Sequence, residues 1–214
     1  MEGPKQRHYG VGMSMSIKNN SNYTQEVFNE LEIKKNKVQL SNFEDCKFVN
    51  CNFSEAQFIE CKFIDCEFKN SNLSLIKFDK SRFFETGFKG CKVTGVNWTS
   101  LDWSNFNLTS PIYFESCDIS FSIFSSLGLK EACLQDCKAH DVDFSECDLK
   151  GADFFRTDLK DSRFVLCKLD KCNFQEAVNY YIDPLENSIE GAKFSSPEVL
   201  SLLSAFKIKI DSIE

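Results

Sequence analysis

Large apolar residues recur at every fifth position through most of the chain. Within residues 42–68 this series is Phe43, Phe48, Phe53, Phe58, Phe63 and Phe68. An amphipathic helix repeats every ~3.6 residues and a half-buried strand every ~2, so neither element explains a period of five. The pattern therefore predicts a repeat architecture, in which one short structural unit is stacked many times.

A second column of small residues lies two positions before each large residue. Ten of the eleven cysteines fall in this column, and only Cys133 lies one position later. The ten are Cys46, Cys51, Cys61, Cys66, Cys91, Cys117, Cys137, Cys147, Cys167 and Cys172. Charged and polar residues fill the other three columns. We therefore predict that two of every five residues point inward and three point outward.

The large residues form two registers. The first has 15 positions and runs from Val38 to Leu108, and the second has 13 positions and runs from Phe114 to Phe174. Between them the phase shifts by one residue, around the sequence TSPIY. We interpret this one-residue shift as the only interruption of the repeat, with no inserted loop.

The repeat resembles that of the pentapeptide-repeat family, whose motif is A(D/N)LXX with Leu or Phe at the centre. The segments SNFED, CNFSE, ADFFR and CNFQE match it, and the resemblance covers about residues 36–176. It implies an all-β solenoid, a right-handed quadrilateral β-helix in which each pentapeptide forms one side and four pentapeptides close a coil. Seven coils at the strand spacing of ~4.8 Å would give a rod of ~34 Å.

Both ends of a solenoid need a cap. We expect residues 1–20 to be a disordered leader or a cloning remnant, and residues 21–37 to be an N-terminal cap made of a short helix or an irregular coil. The β-helix is assigned to residues 38–177, and residues 178–214 to a C-terminal capping and dimerisation module. Within this module, SSPEVLSLLSAF predicts a short C-terminal α-helix with Ser196 as N-cap and Pro197 at the first helical position.

The predicted helix has a broader apolar face than the cap of one rod end requires. The resemblance favours a homodimer, because several bacterial members of the family pair end to end through such a helix. The alternative is a monomeric cap folded onto the last coil. The candidate dimer interface consists of Val199, Leu200, Leu203, Phe206 and Ile208.

The cysteines lack the spacing of metal ligands. No Cys-x-x-Cys occurs, and the two histidines, His8 and His140, have no ligand-like spacing to cysteine. The odd number of cysteines and the lack of a secretory signal argue against a disulfide framework. Cysteines 20 residues apart, such as Cys46 and Cys66, would stack within disulfide range, but we expect parallel side chains that stay reduced. Cysteine is therefore interpreted as a small buried residue.

The sequence predicts no enzyme: no catalytic residue, no metal site and no cofactor site. His140 is the only histidine in the repeat and lies in an outward column. Carboxylates are numerous, but acid–base catalysis needs two of them in one cleft, and a rod with a filled axis offers none. The net charge of −7 disfavours direct binding to nucleic acid, and no apolar run is long enough to span a membrane.

Function is therefore assigned to the outward surface and the ends. The resemblance is closest to the quinolone-resistance (Qnr-like) bacterial branch, whose acidic, dimeric, cytoplasmic rods act as DNA mimics and protect or inhibit DNA gyrase and topoisomerase IV. Some protective members also carry two longer loops. The alternative is a structural or protein-interaction rod with an unrelated partner. The candidate acidic partner surface consists of Asp141, Asp143, Glu146, Asp148, Asp153, Asp158 and Asp161.

Overall fold

The chain folds as a right-handed parallel β-solenoid with four-sided coils. The structure, a computed structural model, describes residues 16–104 and 112–208. Residues in adjacent coils pair in parallel at a separation of 20, as Tyr23 pairs with Phe43 and Phe43 with Phe63. The expected architecture is confirmed. Each side of a coil is one pentapeptide, and the four sides are called first to fourth in chain order.

The strands are short and lie on three of the four sides. On the first side they are β1 (Asn22–Thr24), β4 (Asn42–Glu44), β7 (Lys62–Ile64) and β9 (Arg82–Phe84). On the second side they are β2 (Val27–Asn29), β5 (Lys47–Val49), β8 (Glu67–Lys69), β10 (Thr86–Lys89), β11 (Ile112–Glu115), β12 (Leu134–Gln135), β13 (Asn173–Phe174) and β14 (Lys193–Phe194). On the fourth side they are β3 (Lys37–Gln39) and β6 (Gln57–Ile59). Isolated parallel bridges connect the coils elsewhere.

Stacked side chains fill the axis of the rod. Phe48 and Phe68 on the second side are fully buried, and their ring centroids are 4.5 Å apart with planes inclined by 12°. The second-side column passes through nine levels: Phe28, Phe48, Phe68, Phe88, Phe114, Leu134, Phe154, Phe174 and Phe194. Eight steps at the strand spacing give a rod of about 38 Å, one turn more than the sequence predicted.

The corners between sides have a left-handed backbone. Two residues after most axial residues φ is positive, as at Asp45 (51°) and Asp65 (52°), and most of these corners are not glycine. An L-residue in this conformation costs about 1–2 kcal/mol, but a right-angled turn in a single residue requires it. Most corner residues are consequently exposed, whatever their chemistry.

Side chains two positions before the axial residues complete the hydrogen bonding between coils. At Ser71, Oγ donates to the carbonyls of Phe48 (3.2 Å) and Lys69 (3.0 Å) and accepts from the N–H of Cys51 at 2.9 Å. The Cys51 thiol in turn donates to Phe28 O at 3.4 Å. Where the small column carries Ser, Thr or Cys, the side chain therefore supplies a donor as well as fitting by size, which the interpretation of cysteine as a small packing residue missed.

The cysteines on the described residues are free thiols. Burial raises the pKa of Cys137, Cys147 and Cys172 to about 12, so these groups stay protonated at neutral pH. Protonation is what the hydrogen bonds require, because only the thiol form donates to a carbonyl.

The interruption of the repeat is an insertion, and the prediction of a one-residue shift without a loop is wrong. Phe88 stacks on Phe114, Val93 lies beside Asp118, and Trp98 stacks on Phe124. The register of β10 with β11 is thus 26 residues instead of 20, which leaves six extra residues between Trp103 and Ile112. Six residues equal one pentapeptide plus one residue. Counting the sequence in steps of five therefore detects the one-residue shift but not the additional pentapeptide. Leu108 and Pro111 lie outside the described residues.

The solenoid is also longer than predicted at both ends. Residues 21–37, expected as a cap, form the first coil: β1 and β2 pair with β4 and β5, and Glu32 bridges to Asn52. Beyond residue 177, β13 pairs with β14, and Phe174 stacks on Phe194 at 5.2 Å. These segments were missed because their axial residues are mixed in type. Of the expected leader, residues 1–15 lie outside the described part of the chain.

The C-terminal helix, Glu198–Phe206, is a 3-10 helix and not the α-helix expected from its sequence. Pro197 is the N-cap, and Ser196 makes no side-chain capping bond. None of the helical residues is fully buried. Packing of an amphipathic face supplies most of the stability of a short α-helix, and this helix is only partly packed, through residues such as Leu202. A second 3-10 turn, Trp98–Ser100, lies on the fourth side.

Replacing Ser71 tests the hydrogen bonds between coils. We expect Ser71→Ala to lower the free energy of unfolding by about 1–3 kcal/mol, since it leaves the buried N–H of Cys51 without its partner. Ser71→Cys, which restores the chemistry found at the neighbouring coils, should lose less. Urea unfolding followed by circular dichroism measures both. Equal stability of the alanine variant and the parent would contradict the assignment.

Candidate protein-interaction surfaces

The axis of the rod offers no room for a ligand. Axial residues such as Phe63, Leu73 and Phe144 are fully buried. The recesses on the described surface are shallow grooves between stacked outward side chains, for example along Leu75, Gly95 and Asn97. Chemistry is therefore available only in the three outward columns and at the ends.

Many carboxylates in the first outward column hold the backbone of their own coil. Asp143 Oδ1 accepts the N–H of Ser145 at 3.0 Å, and Asp153 Oδ1 accepts the N–H of Phe155 at 3.0 Å. Asn52 and Asn72 do the same for Ser54 (3.1 Å) and Ser74 (3.0 Å). Asp and Asn therefore recur one position before the axial residue because that position needs a short acceptor.

The predicted acidic partner surface is not one surface. Four of its members lie on four different sides: Asp143 on the fourth, Asp148 on the first, Asp153 on the second and Asp158 on the third. Asp141 and Asp161 lie on the corner between the third and fourth sides, and Glu146 lies on the next corner. The segment 141–161 spans a full turn, so neighbours in sequence are distributed around the rod.

Several of these carboxylates already have cationic or donor partners. Asp148 Oδ2 is 3.7 Å from Lys130 Nζ and 3.5 Å from Lys168 Nζ. Asp158 Oδ2 is 2.7 Å from His140 Nε2, while its Oδ1 accepts from Asn179 Nδ2 at 2.7 Å. The pKa of Asp158 is lowered by these bonds against the opposing effect of burial. Such groups are less available to a partner than the sequence suggested.

A different set of carboxylates lies along a single corner of the rod. Asp45, Asp65, Glu85 and Glu131 occupy successive described levels of the corner between the first and second sides, and we call them the acidic edge. All four are exposed, and none forms an ion pair with another described residue. Sequence reasoning missed this edge because its members are 20 or more residues apart. Aligning the chain in rows of 20 would have revealed the first three.

The described chain is interrupted at this same corner, between Ser104 and Ile112. Trp103 is the last axial residue before the interruption, on the first side, and Phe114 is the first after it, on the second side. Two hydrogen bonds hold the residues just before the interruption. Arg82 Nε donates to Asp102 Oδ2 at 2.7 Å, and Trp103 Nε1 donates to Trp98 O at 2.9 Å. Asp102 Oδ1 also accepts the N–H of Ser104 at 3.0 Å.

The C-terminal end carries exposed apolar groups. Of the predicted dimer interface, Leu200, Phe206 and Ile208 are about half exposed, while Val199 and Leu203 are partly buried. The helix is attached to the last coil by Glu198, which accepts the N–H of Asn179 at 2.7 Å, and by Leu202, which packs on the core. The structure also places exposed Tyr181 and Leu185 at this end, and the sequence prediction omitted both.

The described residues contain no group of three or more His, Cys, Asp or Glu side chains arranged to hold a metal ion. Among the same residues, no helix has the length and apolar character needed to cross a membrane.

A solenoid with a filled axis and single-residue left-handed corners defines a repeat protein whose recognition groups lie on its outer columns. Two family models agree with this class. One, for a pentapeptide repeat region, matches residues 41–111, and another, for pentapeptide repeats in eight copies, matches residues 140–176. Together they cover just over half of the chain, which belongs to the pentapeptide-repeat family. Among curated proteins, none matches the chain significantly.

Two solved structures of one protein show the same fold. A trypsin-treated form of QnrB1, a plasmid-mediated fluoroquinolone resistance protein, is 16% identical over 91% of this chain and 99% of its own, with a TM-score of 0.51. A second trypsin-treated form gives 16% identity, 92% and 100% coverage and a TM-score of 0.50. HetL from Nostoc sp. strain PCC 7120, a pentapeptide repeat protein involved in heterocyst differentiation regulation, is 18% identical with a TM-score of 0.38, covering 87% of this chain and 89% of its own.

The stability contributed by Asp102, just before the interruption of the repeat, should depend on pH. Hydrogen bonds from Ser104, followed by Arg82, lower the pKa of Asp102 to about 2. Because the unfolded value is near ~4, this carboxylate contributes stability above pH ~4 that is lost as the pH falls towards ~2. In Asp102→Asn, the urea midpoint should therefore fall less between those values than in the parent. Glu44→Gln, which removes an exposed carboxylate, is the matched control. An unchanged pH slope in Asp102→Asn would contradict the prediction.

Proposed function

We propose that this protein is a non-enzymatic rod that binds a bacterial type II topoisomerase, DNA gyrase or topoisomerase IV, in place of DNA and changes its sensitivity to quinolones. The proposal is supported by similarity to QnrB1 along nearly the whole of both chains, although 16% identity establishes only the shared fold. A cytoplasmic location follows from the proposed target. The proposal involves no cofactor, no direct contact with nucleic acid and no membrane.

The acidic edge is the observation that carries the proposal. It presents one unpaired carboxylate per coil at Asp45, Asp65 and Glu85, and the line resumes at Glu131 beyond the insertion. Coils are spaced by ~4.8 Å, whereas phosphates on one strand of duplex DNA advance by ~3.4 Å along the helix axis. The spacing is similar enough for a basic groove to be occupied by the edge, with electrostatic attraction raising the rate of association.

A second candidate is a protein-interaction rod with an unrelated partner and no effect on gyrase. It is favoured by the neutralised charges on the sides of the rod. On the second side, for example, Lys89 Nζ lies 3.6 Å from Glu67 and 3.5 Å from Glu115. A partner that bound one of the sides, and not the acidic edge, would contact both positive and negative charges.

A gyrase supercoiling assay with and without ciprofloxacin separates the two candidates. We expect the parent protein to change supercoiling or drug sensitivity, and the triple variant Asp45→Asn, Asp65→Asn, Glu85→Gln to lose most of that effect. The matched control is Glu30→Gln, Glu60→Gln, Glu176→Gln, which removes three exposed carboxylates from other corners and changes the net charge equally. No effect of the parent over a wide concentration range would exclude the topoisomerase proposal. Equal loss in both variants would exclude the acidic edge.

We also propose that the C-terminal module forms a homodimer. The exposed apolar groups Leu200, Phe206 and Ile208 support an interface there. Light scattering should give a dimeric mass for the parent, a monomeric mass for Leu203→Asp, and a dimeric mass for the control Phe84→Asp, which places the same charge on the first side. A monomeric parent would exclude the dimer.

A further inference from the structure

Large apolar side chains are exposed in two groups. One group is the C-terminal end described above. The other lies on the fourth side and its two bordering corners, where six such residues are between 37% and 64% exposed. These six are Leu40, Leu75, Phe121, Ile123, Val165 and Leu166. Elsewhere on the described rod, Val27, Phe84 and Val178 are exposed to a similar degree.

The fold itself does not require these residues. Leu40, Leu75, Phe121 and Leu166 occupy left-handed corners, with φ of 53°, 57°, 62° and 56°. Corners elsewhere on the rod have mostly polar or charged residues or glycine, which suit a left-handed, solvated position better than a bulky apolar residue. These four apolar corner residues all border the fourth side. An interaction with another molecule therefore accounts for them better than packing within the rod does.

The six residues recur at every second coil. Leu40 is on the first coil, Leu75 on the third, Phe121 and Ile123 on the fifth, and Val165 with Leu166 on the seventh. At ~4.8 Å per coil the apolar levels are about 10 Å apart and span about 29 Å. Two turns of an α-helix rise ~10.8 Å, so apolar residues at i and i+7 of a helix lying along the rod would meet successive levels.

The shape of the fourth side also fits a helix. A groove runs along its N-terminal half, lined by Leu75, Lys77, Gly95 and Asn97. It exists partly because Gly95 has no side chain: a Cβ there would lie 2.7 Å from Leu75 Cδ2. The flat part of a side is about three extended residues, or ~10 Å wide, which is close to the ~10–12 Å diameter of a helix with its side chains.

The area of this side is small for contact with a second copy of the chain. About 10 Å by 38 Å gives roughly 400 Å² per molecule, or 800 Å² for two flat sides in contact. Stable protein–protein interfaces bury about 1,200–2,000 Å². A helix, in contrast, can also contact Leu75 and Phe121 on one border and Leu40 and Leu166 on the other, and so bury side chains around its circumference.

We propose that the fourth side is a docking surface for an amphipathic α-helix of a partner protein, which lies along the rod between its two apolar borders. This proposal is independent of the topoisomerase proposal, since the acidic edge lies on the corner between the first and second sides, which does not border the fourth side.

Charge fixes the direction of the helix. The N-terminal half of the fourth side and its corners has four lysines (Lys35, Lys37, Lys77 and Lys80) against three carboxylates (Glu55, Glu60 and Asp79). The C-terminal half has one cation, Arg163, against five carboxylates: Asp141, Asp143, Glu146, Asp161 and Asp183. The N-terminus of a helix is its positive end, so it should lie over the C-terminal half of the rod. Four residues of the predicted acidic surface thus acquire a role in orienting the helix.

Fluorescence anisotropy with a labelled model peptide tests the proposal. The probe is an amphipathic helix of about 20 residues, made of leucine, alanine, lysine and glutamate, with leucine at i, i+3, i+4 and i+7. The control peptide has the same composition with leucines spread around the helix. We expect only the amphipathic peptide to bind the full-length protein, and Leu75→Ser with Phe121→Ser to weaken binding by about tenfold or more.

Val27→Ser with Phe84→Ser is the matched protein control, because it removes similar exposed apolar area from the second and first sides. It should change the affinity by less than about twofold. Circular dichroism confirms that each variant is folded. The proposal fails if the parent does not bind the amphipathic peptide, if both protein variants lose affinity equally, or if light scattering shows that the Leu75 and Phe121 substitutions separate a dimer, which would make a second copy the occupant.

Discussion

Hydrogen bonding between successive coils is the constraint on which the rest of the molecule depends. Parallel pairing at a separation of 20 places like positions above one another, so that phenylalanine stacks on phenylalanine and corner on corner. The backbone alone does not complete this pairing. The N–H of Cys51 and the carbonyl of Phe48 are satisfied only by Ser71 of the next coil, and similar bonds recur through the small column. The choice of Ser, Thr and Cys in that column is therefore as much a part of the fold as the aromatic axis.

The sequence predicted those parts of the fold that repeat. Columns of five identify the inward residues, because Phe43 and Cys46 have a fixed relation to the axis wherever the chain obeys its period. The role of the thiols was harder to predict, since composition cannot distinguish a small residue from a small donor. The ends were misassigned for a related reason: Ile33 and Tyr180 fill the axis as well as phenylalanine does, but they do not continue a recognisable series.

The insertion and the surfaces could not be read from a five-residue period. Six extra residues advance the phase by one, so Phe114 appears to follow Leu108 after a small slip when it actually lies above Phe88. Surfaces depend on the 20-residue turn, which brings Asp45 beside Asp65 but separates Asp143 from Asp148 by a corner. The candidate acidic surface was therefore assembled from neighbours in sequence that are not neighbours in space.

The left-handed corners have a consequence for how such a protein can change over time. Most corners direct their side chains into solvent and contribute nothing to the axis, so a non-glycine corner residue can be exchanged with little effect on the axis. Gly90 and Gly95 are exceptions, because an added Cβ would lie 2.7 Å from the corner residue of the preceding coil. The axis and the small column stabilise the solenoid, while the corner side chains form four separate rows with one residue per coil. Duplication of one coil would lengthen all four rows together. Single substitutions would then change one row at a time. A family built in this way can retain one architecture while its members acquire unrelated partners.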